Sequence, residues 1–301
     1  MTLYSSITET IGDTPLVRLN RMAPPGTHVF VKVERGNPGG SIKDRAALSM
    51  INDAVARGEL KEGGTVIEPT SGNTGIAIAM IGAAMGFKAV IVMPDTMSPE
   101  RIALMRAYGA EVLLSPGAEG MKGAVDLAEK VRAERGGFIA GQFDNPANIA
   151  AHRIGTGMEI LRDLPDVDYV FAGIGTGGTA SGIAQCFRDT GSRAKVIGVE
   201  PAESPLITAG QAGPHKIQGI GSNFIPGNYL PDLIDEVVTV PGDEAIRTAA
   251  ELAKREGILA GISSGASVYA ALRKAEEEPS ARIVAILPDG GEKYMSLNIY
   301  G

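Results

Sequence analysis

From residue 27 onward the chain alternates short apolar runs, rich in β-branched residues and bounded by Gly, Pro or Asp, with longer stretches of helical spacing. The runs are THVFVKVE, GTVIEP, KAVIVMP, AEVLLSP, DYVFAGIG, AKVIGVE, DEVVTV and ARIVAILPD. Nearly continuous hydrophobicity marks strands buried on both faces, as in a parallel sheet. Between them the spacing predicts helices in KDRAALSMINDAVARGE, TGIAIAMIGAAMG, EGMKGAVDLAEKVRAERG, GTASGIAQCFRDTG, DEAIRTAAELAKREG and GASVYAALRKAEEE. The fold class is therefore α/β. No low-complexity linker or repeat divides the chain. Asn, Pro and Asp interrupt the alternation at QFDNPAN, residues 142–148, which sets domains of 1–145 and 146–301. The Gly- and Pro-rich segment from Ala202 to Pro231 is longer than a compact domain ordinarily tolerates without a function, and is expected to face a cleft.

Composition narrows the class of partner. The 301 residues are 44% hydrophobic and 21% charged, with a formal charge of −7, and no block of like charges favours nucleic acid or an anionic membrane. A small molecule is the expected partner. Cys186 is the only cysteine, which excludes an intrachain disulfide and fits a reducing compartment such as the cytoplasm. No signal-like start and no apolar run of about 20 residues is present. His28, His152 and His215 lack metal-ligand spacing, so no metal site is expected.

Four strand-to-helix turns are unusual, and in parallel sheets such turns line ligand sites. In NPGGSIKDRAALSM, Ser41 and Asp44 form a capping signature that puts Lys43 in the first turn of a helix. There the helix N-terminus opposes an ammonium and favours a nucleophilic amine, whereas the bland alternative is a solvated lysine. In VIEPTSGNTGIAIAM, Thr70, Ser71, Asn73 and Thr74 crowd a glycine turn; one or two would suffice as caps, and four suit a bound carboxylate. In DYVFAGIGTGGTASG, Gly173, Gly175 and Gly178 satisfy G-x-G-x-x-G, with Glu200 ending the next strand as in a dinucleotide fingerprint. No Lys or Arg occurs from Val170 to Phe187, so backbone amides and the hydroxyls of Thr176 and Thr179 would hold one phosphate group. In LAGISSGASVYAAL, Gly261, Ser263 and Gly265 match the nucleophile elbow, yet every histidine precedes Ser263, against the order of a hydrolase triad.

Taken together the segments TIGDTPLVRL, NPGGSIKDRAALSM, TSGNTG, MSPERIALMRAYGAE, PGAEGMKGA, QFDNPAN, GIGTGGTASG, IQGIGSNFIP, GISSGAS and PDGGEKYMS resemble, in order, the cysteine synthase family of fold-type II pyridoxal 5'-phosphate enzymes. The resemblance spans almost the whole chain. It implies two domains, each an open, mostly parallel sheet covered by helices as in the tryptophan synthase β subunit, with an early segment crossing between them. Lys43 would carry the cofactor as a Schiff base and Asn73 would bond its ring hydroxyl. Gly175, Thr176, Gly177, Gly178 and Thr179 would cradle its phosphate, and Ser263 would face the pyridine nitrogen. Thr70, Ser71, Asn73, Thr74 and Gln142 would receive the substrate carboxylate. The implied reaction converts O-acetyl-L-serine and sulfide to L-cysteine and acetate through an α-aminoacrylate, with Lys43 as general base.

The resemblance also implies a homodimer and, since HKIQGIGSNFIP is similar to type A rather than type B enzymes, a serine acetyltransferase whose C-terminal tail enters the cleft. The chain departs from its relatives in reading IGTGMEI from Ile154 to Ile160 and in ending soon after Tyr294. No arginine lies between Pro214 and Pro231, where phosphoserine-using relatives place one, which weakens an O-phosphoserine sulfhydrylase. A cystathionine β-synthase or serine dehydratase would share Lys43, TSGNTG and GTGGT. A nucleotide-dependent dehydrogenase would leave Lys43 and TSGNTG unexplained.

Overall fold

Each of the eight apolar runs forms a strand, because their alternate residues find helices to pack against on both sides. The structure, a computed structural model, describes residues 3–301. The strands are β1 (Leu16–Arg18), β2 (His28–Val33), β3 (Thr65–Pro69), β4 (Lys88–Pro94), β5 (Glu111–Ser115), β6 (Phe138–Ile139), β7 (Tyr169–Gly173), β8 (Lys195–Pro201), β9 (Glu236–Val240) and β10 (Arg282–Leu287). The short β1 and β6 lie outside the apolar runs. The helices are α1 (Lys43–Ala56), α2 (Asn73–Met85), α3 (Pro99–Ala107), α4 (Gly120–Arg135), α5 (Pro146–Ala151), α6 (Gly157–Asp163), α7 (Gly178–Thr190), α8 (Leu206–Ala209), α9 (Gly242–Glu251) and α10 (Ile262–Glu277).

Two sheets result. One has the order β1-β2-β10-β7-β8-β9 and the other β5-β4-β3-β6, and every pair is parallel except β1 with β2. Strands β1 and β2 precede the smaller sheet in sequence but belong to the larger. In β10 the side chains of Ile283, Ala285 and Leu287 join Ala266, Ala270 and Ala271 of α10, while Val284 and Ile286 join Ile183 and Phe187 of α7. Strand alternation thus feeds two cores from one strand. The smaller sheet does the same: Ile91 and Met93 pack with α1 and α2, while Val90 and Val92 pack with α4. Each of these fully buried Val, Ile or Met side chains stabilises the fold by about 1.5–3 kcal/mol. Helix α2 is apolar all round because it is buried along most of its length.

A buried ionic cluster fastens α1 to the larger sheet. Arg45 donates to Glu34 at 2.7 and 3.0 Å and to Glu159 of α6 at 2.6 and 2.7 Å. Lys32 of β2 pairs with Glu159 at 2.7 Å. Gly155 lies against this cluster: a Cβ there would stand 3.1 Å from an Arg45 guanidinium nitrogen. Buried charges persist only when paired and hydrogen-bonded, as these are.

Candidate active site

The carboxyl ends of β3, β7 and β10 and the start of α1 open on one cleft of about 740 Å³. Lys43 reaches it as the first residue of α1. The expected capping box takes a different form: Ser41 Oγ accepts from Lys43 N at 3.2 Å, but Asp44 turns back to accept from Gly39 N at 2.5 Å. Asp44 therefore clamps the NPGG loop instead of closing the box, since its carboxylate finds a buried donor there.

Lys43 Nζ lies 3.5 Å from Thr176 Oγ1 in the glycine turn. Burial pushes the ammonium down to about 8, and the charge of Glu68 opposes that shift. Desolvation, more than the helix terminus invoked from sequence, favours the free amine. Glu68, on β3, is 1% exposed and accepts from Gly141 N at 2.8 Å and Gln142 N at 3.4 Å. Burial raises its pKa to about 7, partly offset by those amides and by Lys43.

Across the cleft, the turn after β3 presents Thr70, Ser71, Asn73 and Thr74 at the N-terminus of α2. Thr70 Oγ1 accepts from Gly72 N at 3.3 Å, and Thr74 donates to Gln142 Oε1 at 2.6 Å. Gln142 is held by Asn148 and Asn228, whose amides donate to its carbonyl at 2.8 and 2.9 Å. Arg101 of α3 donates to the Ser71 carbonyl at 3.2 Å and to Gln218 at 3.1 Å. Gln218, Gly219, Ile220 and Ser222 line the cleft, so the 202–231 segment does face it.

The G-x-G-x-x-G turn is shaped by close approaches. A Cβ on Gly175 would collide with the Gly219 carbonyl, one on Gly178 with Asn148, and Gly177 has a φ of +83°, which favours glycine. Gly175 and Thr176 line the cleft, whereas Gly177, Gly178 and Thr179 lie at the start of α7 beside it. Thr179 Oγ1 is 3.3 Å from His152 Nε2, and His152 Nδ1 is 2.9 Å from Thr156 Oγ1. Burial first, then the charges of Arg45 and Lys43, keep His152 neutral. Ser263, second residue of α10, is 3% exposed and lines the cleft. The flanking glycines have packing causes: Gly265 meets the Ala245 carbonyl and Gly261 meets Asp289.

Glu68, Asp289, Lys293 and Arg101 are the site residues that sequence reasoning passed over. Glu68 carried a signal, as a lone acid inside an apolar strand run; the others sit in loops or on a helix whose position only the fold supplies. Pyridoxal phosphate fits this cleft. The glycine turn leaves no room for side chains, its thirteen-residue helix points an N-terminus at the space, and Lys43 stands opposite.

Comparison with known proteins agrees. The sequence profile of the pyridoxal-phosphate dependent enzymes matches residues 7–289. A cysteine synthase of Staphylococcus aureus (strain N315) is 46% identical over 299 residues, 98% of this chain and 96% of its own. The O-ureido-L-serine synthase of Streptomyces lavendulae is 48% identical over 303 residues, 100% of this chain and 94% of its own. The crystal structure of the cysteine synthase of Entamoeba histolytica superposes with a TM-score of 0.95 at 41% identity, covering 99% of this chain and 91% of that one. With a matching profile, a matching α/β fold and relatives of this similarity over nearly its full length, the chain belongs to the pyridoxal-phosphate dependent enzymes of fold type II, in the cysteine synthase family.

Proposed function

We propose that the protein is a cysteine synthase, replacing the acetate of O-acetyl-L-serine by sulfide to give L-cysteine. One observation carries this reading: Lys43, the Thr70–Thr74 turn, the Gly175–Thr176 turn and Ser263 line a single cleft. In this reading the two sheets are the cores of domains 1–145 and 146–301, with β1 and β2 crossing to the second.

When bound, pyridoxal phosphate supplies an electron sink for a carbanion at the amino-acid Cα. Lys43 would carry it, Asn73 would bond its ring hydroxyl, and Ser263 would face its ring nitrogen. Gly175, Thr176, Gly177, Gly178 and Thr179 would hold its phosphate through backbone amides and hydroxyls. The amides at the start of α2, with Thr70, Ser71, Asn73, Thr74 and Gln142, bind the substrate carboxylate, which aims Cα at Lys43. Once the substrate amine has displaced it, Lys43 Nζ, whose pKa burial lowers to about 8, is free to take the Cα proton. Acetate leaves Cβ with its bonding electrons, sulfide forms the new bond at Cβ, and Lys43 returns the proton to Cα. Neutral Ser263 holds the ring nitrogen without adding a charge, which favours replacement at Cβ over transamination.

Two partners complete the reading: a second copy of the chain, against which exposed Ile154 and Met158 would pack, and the C-terminal tail of a serine acetyltransferase, whose carboxylate would compete for the Ser71 turn. The test is reduction of the yellow protein with borohydride, peptide mapping, and assay of cysteine from O-acetylserine and sulfide. The pyridoxyl mass should fall on the peptide containing Lys43, and Lys43→Ala should abolish turnover. Label on another lysine, or no cysteine formed, would refute the proposal.

A further inference from the structure

Asn73 is gripped at both ends of its amide. Its Nδ2 donates to Asp289 Oδ2 at 2.7 Å, and its Oδ1 accepts from Lys293 Nζ at 2.8 Å. Lys293 Nζ also donates to the carbonyls of Gly40 at 3.2 Å and Gly39 at 3.5 Å. Tyr294 Oη donates to the same Asp289 oxygen at 2.8 Å. Asp289 is 2% exposed, lines the cleft, and its Oδ1 has no partner among the described residues. Three segments distant in sequence meet here: the loop before α1, the first turn of α2 and the turn after β10.

Burying a carboxylate and an ammonium is costly, and apolar side chains would close the same gap with less penalty. Desolvation accordingly raises the pKa of Asp289 and lowers that of Lys293. What the charges supply is direction. With its oxygen on an ammonium and its nitrogen on a carboxylate, the Asn73 amide has one favourable orientation; a flip would oppose like partial charges at both ends. Of the two N–H groups on Nδ2, one is taken by Asp289 and the other has no partner among the described residues.

We propose that Asp289 and Lys293 are positioning residues that lock the Asn73 amide so that its second N–H meets the ring hydroxyl of pyridoxal phosphate. The inference rests on the cofactor contact proposed above for Asn73 and deepens it. Its test is a double-mutant cycle on the holoenzyme, read by the visible absorption bands of the lysine-bound cofactor and by its rate of release. Asp289→Asn keeps the size of the side chain but removes its charge, and its amide meets Asn73 with an acceptor in only one of its two orientations, which weakens the lock. It should change the ratio of the bands and speed release by roughly tenfold, the effect of one charge-assisted hydrogen bond. In an Asn73→Ala background the same substitution should be nearly silent, as coupling through Asn73 requires. Full additivity, or unchanged spectrum and release in Asp289→Asn alone, would overturn the proposal. Lys293→Met runs the same cycle from the other end should Asp289→Asn not fold: silence in the Asn73→Ala background supports the lock, and additivity overturns it. Failure of wild type to carry cofactor on Lys43 refutes the function itself; cofactor on Lys43 with an additive cycle refutes only the positioning role.

Discussion

Replacing Glu68 by Gln tests the electrostatics beneath Lys43 in the apoenzyme. Glu68 is buried, with a pKa raised to about 7 from an ordinary 4.5. Between those values the folded chain keeps a proton that the unfolded chain has released. Stability is therefore fully present below about pH 4.5 and declines as pH rises toward 7. The interval is worth about 3 kcal/mol. Lys43, lowered to about 8 from 10.5, acts in the opposite sense, so stability climbs again from about pH 8 toward 10.5. At pH 7 a lysine of pKa about 8 holds roughly 300-fold more free amine than an ordinary one. Since the Glu68 charge holds Lys43 up, Glu68→Gln should move the inflection of cofactor capture below pH 8. Urea unfolding of both apoproteins between pH 5 and 8 supplies the second readout: wild type should lose stability over that range relative to the variant. A stability difference that does not vary with pH, together with an unmoved capture inflection, would show that Glu68 titrates normally and does not couple to Lys43.

Ser71→Ala should remove a hydrogen bond to the substrate carboxylate worth about 1.5–3 kcal/mol. The O-acetylserine concentration that half-saturates the spectral change should rise by about ten- to a hundredfold, and titration like wild type would reduce the turn to a helix cap. Ser263→Asp should protonate the ring nitrogen and slow cysteine formation, while Ser263→Ala keeps much of the activity. Ser264→Asp, whose parent side chain is buried outside the cleft lining, is the control, and identical responses at both positions would detach Ser263 from the ring. Arg45→Met leaves buried Glu34 without its cation, while Glu159 keeps Lys32, and should cost about 3–5 kcal/mol of unfolding free energy; an unchanged urea midpoint would contradict the role given to that cluster.

The strands were legible because burial on both faces leaves short, nearly continuous β-branched runs bounded by Gly, Pro or Asp, whereas the equally apolar α2 is longer. The β1 and β6 strands were not, since Leu16–Arg18 and Phe138–Ile139 take their pairing from longer neighbours instead of from their own pattern. At the site, glycines and hydroxyls in turns showed where ligands gather. The Ser41 and Asp44 spacing suggested a capping box, but Gly39 offered Asp44 a donor that spacing cannot reveal. Asp289 and Lys293 were equally invisible: their partner Asn73 follows a strand of the other sheet, and only the folded topology brings them to it.

The place of β10 has a consequence for synthesis. It lies between β2 and β7, so the larger sheet is split into separate pieces until residues 282–287 leave the ribosome. Ile42, next to Lys43, bonds the Pro288 carbonyl, and Ser41 bridges to Asp289. A nascent chain short of β10 therefore exposes apolar edges and has no fixed Lys43, the condition in which slow, non-local folds aggregate. The placement of Lys43 is thus completed only by the segment that follows β10.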